Sequence, residues 1–152
     1  MRIRILSLGG NDIAIVYEDG HWEKYTLDES ANYIPPAGVF NHLEYTYDDS
    51  TREGKYTLTF PDKSYYTFDE AGLLTAKFDT NGNETRFTYD GQLLSQVSTD
   101  SGSLSFTYDG ELVNGITDSA GRSVSYAYTD GNLTSFTDPD GNVYTVRYGR
   151  RE

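Results

Sequence analysis

The sequence predicts an all-β protein, built of antiparallel β-hairpin repeats of about 20 residues that form a curved or spiralling sheet. Three observations lead to this prediction: the choice of residues, the turn signals between β-rich runs, and a repeating order of aromatic residues and glycines. Tyrosine, with 14 residues, is more frequent than leucine, threonine is more frequent still, and alanine is scarce. This balance favours pleated sheets over helices, and no segment predicts a helix.

Residues 1–64 are predicted to form an irregular lead-in of β-hairpins. In the run IAIVYEDGHWEKYTL, two β-rich segments flank Asp19-Gly20, and Asp-Gly is a strong hairpin signal. The run KYTLTFPDKSYYTF follows the same plan around a turn at Pro61-Asp62. Both runs predict pairs of neighbouring antiparallel strands.

Residues 65–152 are predicted to be hairpin repeats, continuous with the lead-in as one β domain. The string FTYDG occurs at 87–91 and again at 106–110, and the corresponding tyrosines of successive units are 19, 20 and 20 residues apart. Two large residues separated by one residue share a face, because side chains alternate along a strand. The residues predicted to form this aromatic face are Phe87, Tyr89, Phe106, Tyr108, Tyr126, Tyr128 and Tyr148.

Each unit also carries a glycine-containing turn, with the sequences DTNGN, TDSGS, DSAGR and DPDGN. Asp and Asn can hydrogen-bond to their own backbone, and glycine supplies positive φ. The turn glycines are Gly82, Gly102, Gly121 and Gly141. The predicted unit is therefore a strand, a tight turn, a strand and a wider turn. Since one such hairpin is not stable alone, the hairpins are expected to stack against one another.

One spacing does not fit a regular strand. Val113 and Ile116 are three residues apart, as are Leu94 and Val97, so the members of each pair would point to opposite faces. Either a β-bulge re-phases the strand, or both faces of the sheet are partly covered.

The run YDGQLLSQVSTDSGSLSFTYDGELVNGITDSAGRSVSYAYTDGNLTSFTDPDGNVYTVRY resembles the YD repeats of the Rhs family. That family includes bacterial polymorphic toxins, toxin-complex subunits and teneurins, and its repeats form a spiralling sheet that encloses a hollow shell. The resemblance implies a strip of such a shell. The family's arginine after the turn glycine is present only in Gly121-Arg122, and the family's self-cleaving core has no counterpart. No position of this sequence can therefore be assigned as a catalytic residue from the resemblance.

Charge and composition argue against several function classes. The formal net charge is −12, which disfavours nucleic acid and anionic lipid surfaces as partners. The absence of cysteine removes disulfides and thiol chemistry. No apolar run is long enough for a membrane span, and the first residues do not read as a signal peptide. A secreted or cell-surface location is implied by the family resemblance alone.

The sequence offers few candidate sites, and no cofactor is predicted. His21 and His42 have no nucleophile at a recognisable spacing and are interpreted as solvent-facing. Calcium is a weak candidate ligand, since two of the turns alternate oxygen donors without matching the EF-hand pattern. The candidate calcium ligands are Asp79, Asn81, Asp138 and Asp140.

The repeat favours a non-catalytic structural role, as a shell segment that encapsulates or presents a toxin or effector. An extracellular adhesion or carbohydrate-binding β module is the alternative, because exposed Tyr and Trp faces suit sugar rings and protein surfaces. The predicted partners are further repeats of a longer shell or an enclosed toxin. Edge-to-edge self-association is also expected, since the outermost strands of a strip carry unpaired backbone groups.

Overall fold

A computed structural model describes residues 2–149, and these residues form 15 β-strands and no helix. They fall into two compact units, one reaching Arg86 and one beginning at Phe87. The strands of the first unit are β1 (Arg4–Gly9), β2 (Asp12–Val16), β3 (Trp22–Leu27), β4 (Tyr33–Ile34), β5 (His42–Asp48), β6 (Glu53–Thr59), β7 (Tyr65–Asp69) and β8 (Leu74–Phe78). Those that follow are β9 (Glu84–Asp90), β10 (Leu93–Thr99), β11 (Gly102–Asp109), β12 (Leu112–Asp118), β13 (Ser123–Thr129), β14 (Asn132–Thr137) and β15 (Val143–Thr145). Strand β9 begins in the first unit and ends in the second.

Within each unit, every strand pairs in antiparallel fashion with the next strand along the chain. The all-β, antiparallel hairpin fold predicted from the sequence is therefore confirmed. Both predicted lead-in hairpins are present, as β2–β3 and β6–β7. The division at residue 64 between lead-in and repeats rests on sequence character and stays a prediction.

The first unit encloses an apolar core. Its buried side chains come from nearly every strand, since each presents one apolar face to the interior. The buried apolar residues are Ile3, Ile5, Ile13, Ala14, Ile15, Tyr25, Leu43, Leu58, Phe68, Leu74 and Ala76. Strand β1 also folds back on the turn between β7 and β8, where the Ile5 N–H donates to the Gly72 carbonyl at 2.9 Å. Gly72 has a φ of +84°, and a side chain there would collide with the Ile5 backbone.

The second unit has almost no interior of its own. Among its described residues, Leu94 alone is buried, with a relative exposure of 6%. The other apolar residues of the face are half-buried or exposed. The hairpins of this unit therefore form a sheet whose apolar face is incompletely covered.

A β-bulge recurs in the second strand of the hairpins. The pairing shifts between Thr107 and Tyr108, so that Phe106 lies opposite Ile116 and Tyr108 lies opposite Val113. The same shift occurs in hairpins β7–β8 and β13–β14. The residues bulged out of the pairing are Thr75, Asn114 and Thr134. The bulge returns Val113 and Ile116 to one face, which resolves the irregular spacing in favour of re-phasing.

Candidate functional site

The candidate functional site is the repeated aromatic face together with the turns that hold it. In β11 and β13 the aromatic pairs are half-buried, whereas Thr107 and Ala127, which lie between the members of each pair, are exposed. Across hairpin β13–β14 and into β15, Tyr126 lies opposite Phe136, and Phe136 stacks on Tyr144 with ring centroids 4.7 Å apart. Aromatic side chains of β13, β14 and β15 therefore lie side by side on one face of the sheet.

The second aromatic residue of the pair also carries a hydrogen bond to the preceding hairpin. The Tyr128 hydroxyl donates to the Val113 carbonyl at 2.6 Å, and the Tyr108 hydroxyl donates to the Leu94 carbonyl at 2.6 Å. The backbone pairing of β12 with β13 extends only from Thr117 to Gly115. Val113 lies beyond that pairing, so the tyrosine hydroxyl supplies the link that the backbone no longer makes.

These hydroxyl bonds join successive hairpins at the bulge. Tyr108 and Tyr128 make no ring contact with each other within the described part of the chain. Each tyrosine therefore connects its own hairpin to the carbonyl of the hairpin before it. The sequence predicts the aromatic face but not this hydrogen bond.

An aspartate organises the wider turns. The Asp118 carboxylate accepts the backbone N–H groups of Ala120 and Arg122 at 3.0 and 2.9 Å. The Gly121 N–H donates to the Asp118 carbonyl, and Gly121 has a φ of +86°. The equivalent N–H groups, two and four residues after the aspartate, donate in the same way to Asp28, Asp79 and Asp138. This carboxylate clamp explains why the turns begin with Asp.

The residue after the turn glycine closes the clamp. The Arg122 guanidinium donates from Nε to the Asp118 Oδ2 at 2.7 Å. Where the sequence has Asn instead of Arg, the amide makes the equivalent contact, from Asn83 to Asp79 at 2.7 Å and from Asn142 to Asp138 at 2.9 Å. The two departures to Asn therefore retain the side-chain hydrogen bond of the Gly-Arg pattern.

The TDSGS turn differs because Thr99 stands in place of the aspartate. Thr99 pairs directly with Gly102, and its hydroxyl accepts the Ser101 N–H at 3.2 Å. Gly102 begins β11 with a φ of +151°, and a side chain there would meet the Ser119 hydroxyl. Of the four predicted turn glycines, Gly102 thus belongs to a tighter turn than the other three.

The hydrogen bonds of the clamps lower the pKa of their carboxyl groups. For Asp79 and Asp138 the largest cause is the amide of Asn83 or Asn142, which stabilises the ionised form. For Asp118 the largest cause is the backbone N–H of Arg122, and the guanidinium charge adds to it.

The weak calcium candidates lie in these same turns. The carboxylates of Asp79 and Asp138 accept hydrogen bonds from the turn backbone, and the N–H groups of Asn81 and Asp140 are donors to them. Within residues 2–149, no group of three or more His, Asp or Glu side chains is arranged to hold a metal ion. Calcium binding stays a prediction, and the geometry assigns these carboxylates to the turns.

Comparison with known families gives one match within the repeats. Residues 68–103, which contain the Asp79 turn and the first FTYDG string, match the family model described as RHS Repeat. The chain carries an RHS repeat. This confirms the predicted resemblance to the Rhs/YD-repeat family, whose defining element is a structural repeat. Although the matched RHS repeat ends at Ser103, the same bulge, tyrosine hydroxyl bond and aspartate clamp continue through β11–β14.

No curated protein sequence matches the chain significantly. Among the described residues, no helix is long and apolar enough to cross a membrane.

The remaining predicted residues lie outside the matched RHS repeat. Tyr148 follows β15 and is 64% exposed. His42 begins β5 and is exposed. His21 is also exposed, but its ring stacks on Tyr17 and contacts the Asp19 carboxylate at 2.6 Å.

Proposed function

We propose that this chain is a non-catalytic segment of an Rhs/YD-repeat shell that encapsulates or presents a toxin or effector. The observation that carries the proposal is the apolar face of the second unit, which is aromatic along successive strands and half-covered. A sheet face of this kind is expected to gain further apolar contacts when it lines an enclosed space, because aromatic side chains contribute strongly to buried contacts.

The hairpin repeat supports the same role. Tyr108 and Tyr128 each bind the preceding hairpin through the tyrosine hydroxyl. Asp79, Asp118 and Asp138 each hold their own turn, so the same local contacts can join further hairpins to the sheet. Stability in such arrays is a sum of local units and their interfaces. The proposed partners are therefore further repeats of the shell and the enclosed polypeptide, and the proposed location is secreted or cell-surface.

The test is photo-crosslinking in the complete product of the source reading frame. A benzophenone amino acid placed at Tyr126 lies on the aromatic face, and the same group at Ala127 lies on the opposite face of the same strand. We expect position 126 to crosslink to segments of the same product outside the repeats. Position 127 is the matched control and should give no such products.

Equal crosslinking from both positions would contradict a lined interior. Crosslinks from position 126 only to unrelated proteins would favour an adhesion surface instead. In that case the face would serve external binding, which is the alternative function.

A further inference from the structure

Three tyrosine rings lie together in the first unit, on strands β4, β5 and β6, and we call Tyr33, Tyr45 and Tyr56 the tyrosine cluster. Tyr45 and Tyr56 lie directly opposite each other in the pairing of β5 with β6, with ring centroids 4.9 Å apart and an interplanar angle of 53°. The Tyr33 ring contacts Tyr56 at a centroid distance of 6.1 Å. By contrast, Tyr17 stacks on a His ring and Tyr65 stacks on a Phe ring. The cluster therefore places phenol rings next to one another in adjacent strands.

A glycine gives the Tyr45 ring its position. Gly54 lies two residues before Tyr56 on β6, and it is buried. A side chain at Gly54 would collide with the hydroxyl and the ring of Tyr45. The Tyr45 side chain therefore lies across β6 over Gly54, in space that a larger residue at position 54 would occupy.

A carboxylate receives the Tyr45 hydroxyl on the other side of β6. Glu70 follows β7, and the Tyr45 hydroxyl donates to Glu70 Oε1 at 3.1 Å. Partial burial, together with this hydrogen bond, raises the pKa of Tyr45, so the phenol keeps its proton at neutral pH. A phenol that loses an electron becomes a much stronger acid, and Glu70 is placed to accept its proton at that moment. The Tyr45 side chain is 37% exposed, which gives an oxidant access to it.

From this arrangement we infer that the tyrosine cluster is an oxidative cross-linking site, at which Tyr45 and Tyr56 are joined as dityrosine. The co-reactant is hydrogen peroxide, used by a one-electron oxidant of the peroxidase class. Each phenol loses one electron and its hydroxyl proton; Glu70 accepts the proton of Tyr45, and the proton of Tyr56 passes to solvent. The two phenoxyl radicals then form a carbon–carbon bond between ring positions ortho to the hydroxyls.

The product retains both hydroxyl groups. The hydrogen atoms displaced from the two ortho carbons move to the phenol oxygens, so the chain loses two hydrogen atoms in all and one hydrogen peroxide becomes two water molecules. The new bond ties β5 to β6 in a chain that has no cysteine for a disulfide. A covalent link stabilises a fold by restricting the unfolded chain, so the oxidised protein should unfold at a higher urea concentration. The inference is independent of the proposed shell role.

The test is oxidation of the whole chain, at low protein concentration, by a heme peroxidase and hydrogen peroxide. We expect dityrosine fluorescence and the loss of two hydrogen atoms by mass spectrometry, with the chain still a monomer on a denaturing gel. Trypsin cleaves after Arg52 and Lys55, so Tyr45 and Tyr56 fall in separate peptides unless a cross-link joins them. Fragmentation of the joined peptides should place the link at these two residues.

Matched variants separate the cluster from general tyrosine oxidation. Tyr45→Phe keeps the ring and removes the hydroxyl, and it should abolish the joined peptides. Tyr47→Phe is the control, because Tyr47 lies on the same strand and is more exposed, at 52%, and it should cross-link normally. Circular dichroism before oxidation checks that both variants are folded.

A second pair of variants tests the proton acceptor. Glu70→Gln keeps a hydrogen-bond acceptor but removes the base, so cross-linking should slow about tenfold or more. Glu44→Gln makes the same change beside Tyr45, at a side chain that points to the other face of β5, and it should leave the rate unchanged. Equal rates in these two variants would overturn the role assigned to Glu70.

Three results would overturn the cross-linking site itself. The first is oxidation of exposed tyrosines, such as Tyr144, without any joined peptides from Tyr45 and Tyr56. The second is a link from Tyr56 to Tyr33 in place of Tyr45. The third is an equal yield of joined peptides from Tyr45→Phe and Tyr47→Phe, which would locate the link elsewhere.

Discussion

At the scale of the residue, the hydroxyl groups of Tyr108 and Tyr128 each link a hairpin to the one before it. Tyr128→Phe keeps the ring and removes the bond to the Val113 carbonyl, so it should lower the free energy of unfolding by about 1 kcal/mol. Tyr126→Phe is the matched control, because the Tyr126 hydroxyl has no partner among the described residues, and it should be nearly neutral. Urea denaturation of both variants measures the difference. Equal losses would show that the hydroxyl bond contributes nothing specific.

The turn aspartates are also single residues with a measurable effect. The pKa of Asp118 is lowered because the ionised form accepts hydrogen bonds that the unfolded chain lacks. Its contribution to stability is therefore present above the unfolded-state pKa of about 3.9 and is lost as the pH falls below it.

Asp118→Asn should flatten the loss of stability on acidification. Urea midpoints at neutral pH and in mild acid provide the measurement. Asp130→Asn is the control, since the Asp130 carboxylate accepts no hydrogen bond among the described residues. A variant that keeps the full acid dependence would show that Asp118 does not contribute to it.

At the scale of the element, interior and outer strands of the aromatic face should differ. Tyr108 is half-buried and hydrogen-bonded in β11, whereas Tyr148 follows β15 and is 64% exposed. Tyr108→Ala should cost an amount near the lower end of the roughly 3–5 kcal/mol typical of large aromatic truncations. Tyr148→Ala should change stability by less than about 0.5 kcal/mol. Similar small losses in thermal and denaturant melts would contradict the role assigned to the face.

The strands of the first unit should respond to alkaline pH. Burial raises the pKa of Tyr56 to about 12, and burial also raises the pKa of Tyr17 and Tyr25. These phenols ionise more readily in the unfolded chain, so stability is retained below about pH 10 and declines as the pH rises toward 12. Tyrosinate absorbance and circular dichroism should show their ionisation coinciding with unfolding. Complete ionisation near the ordinary pKa with the fold intact would contradict this.

The hairpins were predictable from the sequence, and their irregularities were not. Asp-Gly and Asn-Gly turns and alternating aromatic residues depend on local chemistry, which the sequence displays directly. Two of the bulged residues, Thr75 and Thr134, are threonines, but threonine is common along all the strands and does not mark a bulge. The three-residue spacing of Val113 and Ile116 indicated only the bulge at Asn114.

Contacts between distant segments were hidden for a different reason. Lys77 and Glu18 meet across 59 residues, and no local pattern indicates that contact. The tyrosine hydroxyl bonds likewise depend on how one hairpin lies beside another. The contact of Lys77 with Glu18 and the hydroxyl links therefore required the structure.

At the scale of the whole molecule, the free edge of the sheet favours self-association and the net charge opposes it. Strand β15 pairs only with β14 among the described strands, and it exposes Val143 by 67% and Tyr144 by 46%. This edge can pair with another strand, while the net charge of −12 opposes close approach. Raising the salt concentration should therefore favour association, because it screens the repulsion.

Sedimentation equilibrium at low and high salt tests this association. Tyr144→Lys should reduce it, and Tyr148→Lys, which makes the same change of charge outside the strand, should not. A monomer at all salt concentrations, or equal effects of both variants, would contradict pairing through β15.

The contact of Gly72 with Ile5 gives the sheet two unlike borders. A strand from another molecule that approached β1 would have to displace the hydrogen bond between these residues, whereas β15 presents no such obstacle. Head-to-tail addition, which generates fibres, needs both borders free. Pairing between two β15 strands uses the same border of both molecules, so no third molecule can join through it. We therefore expect self-association through β15 to stop at a dimer.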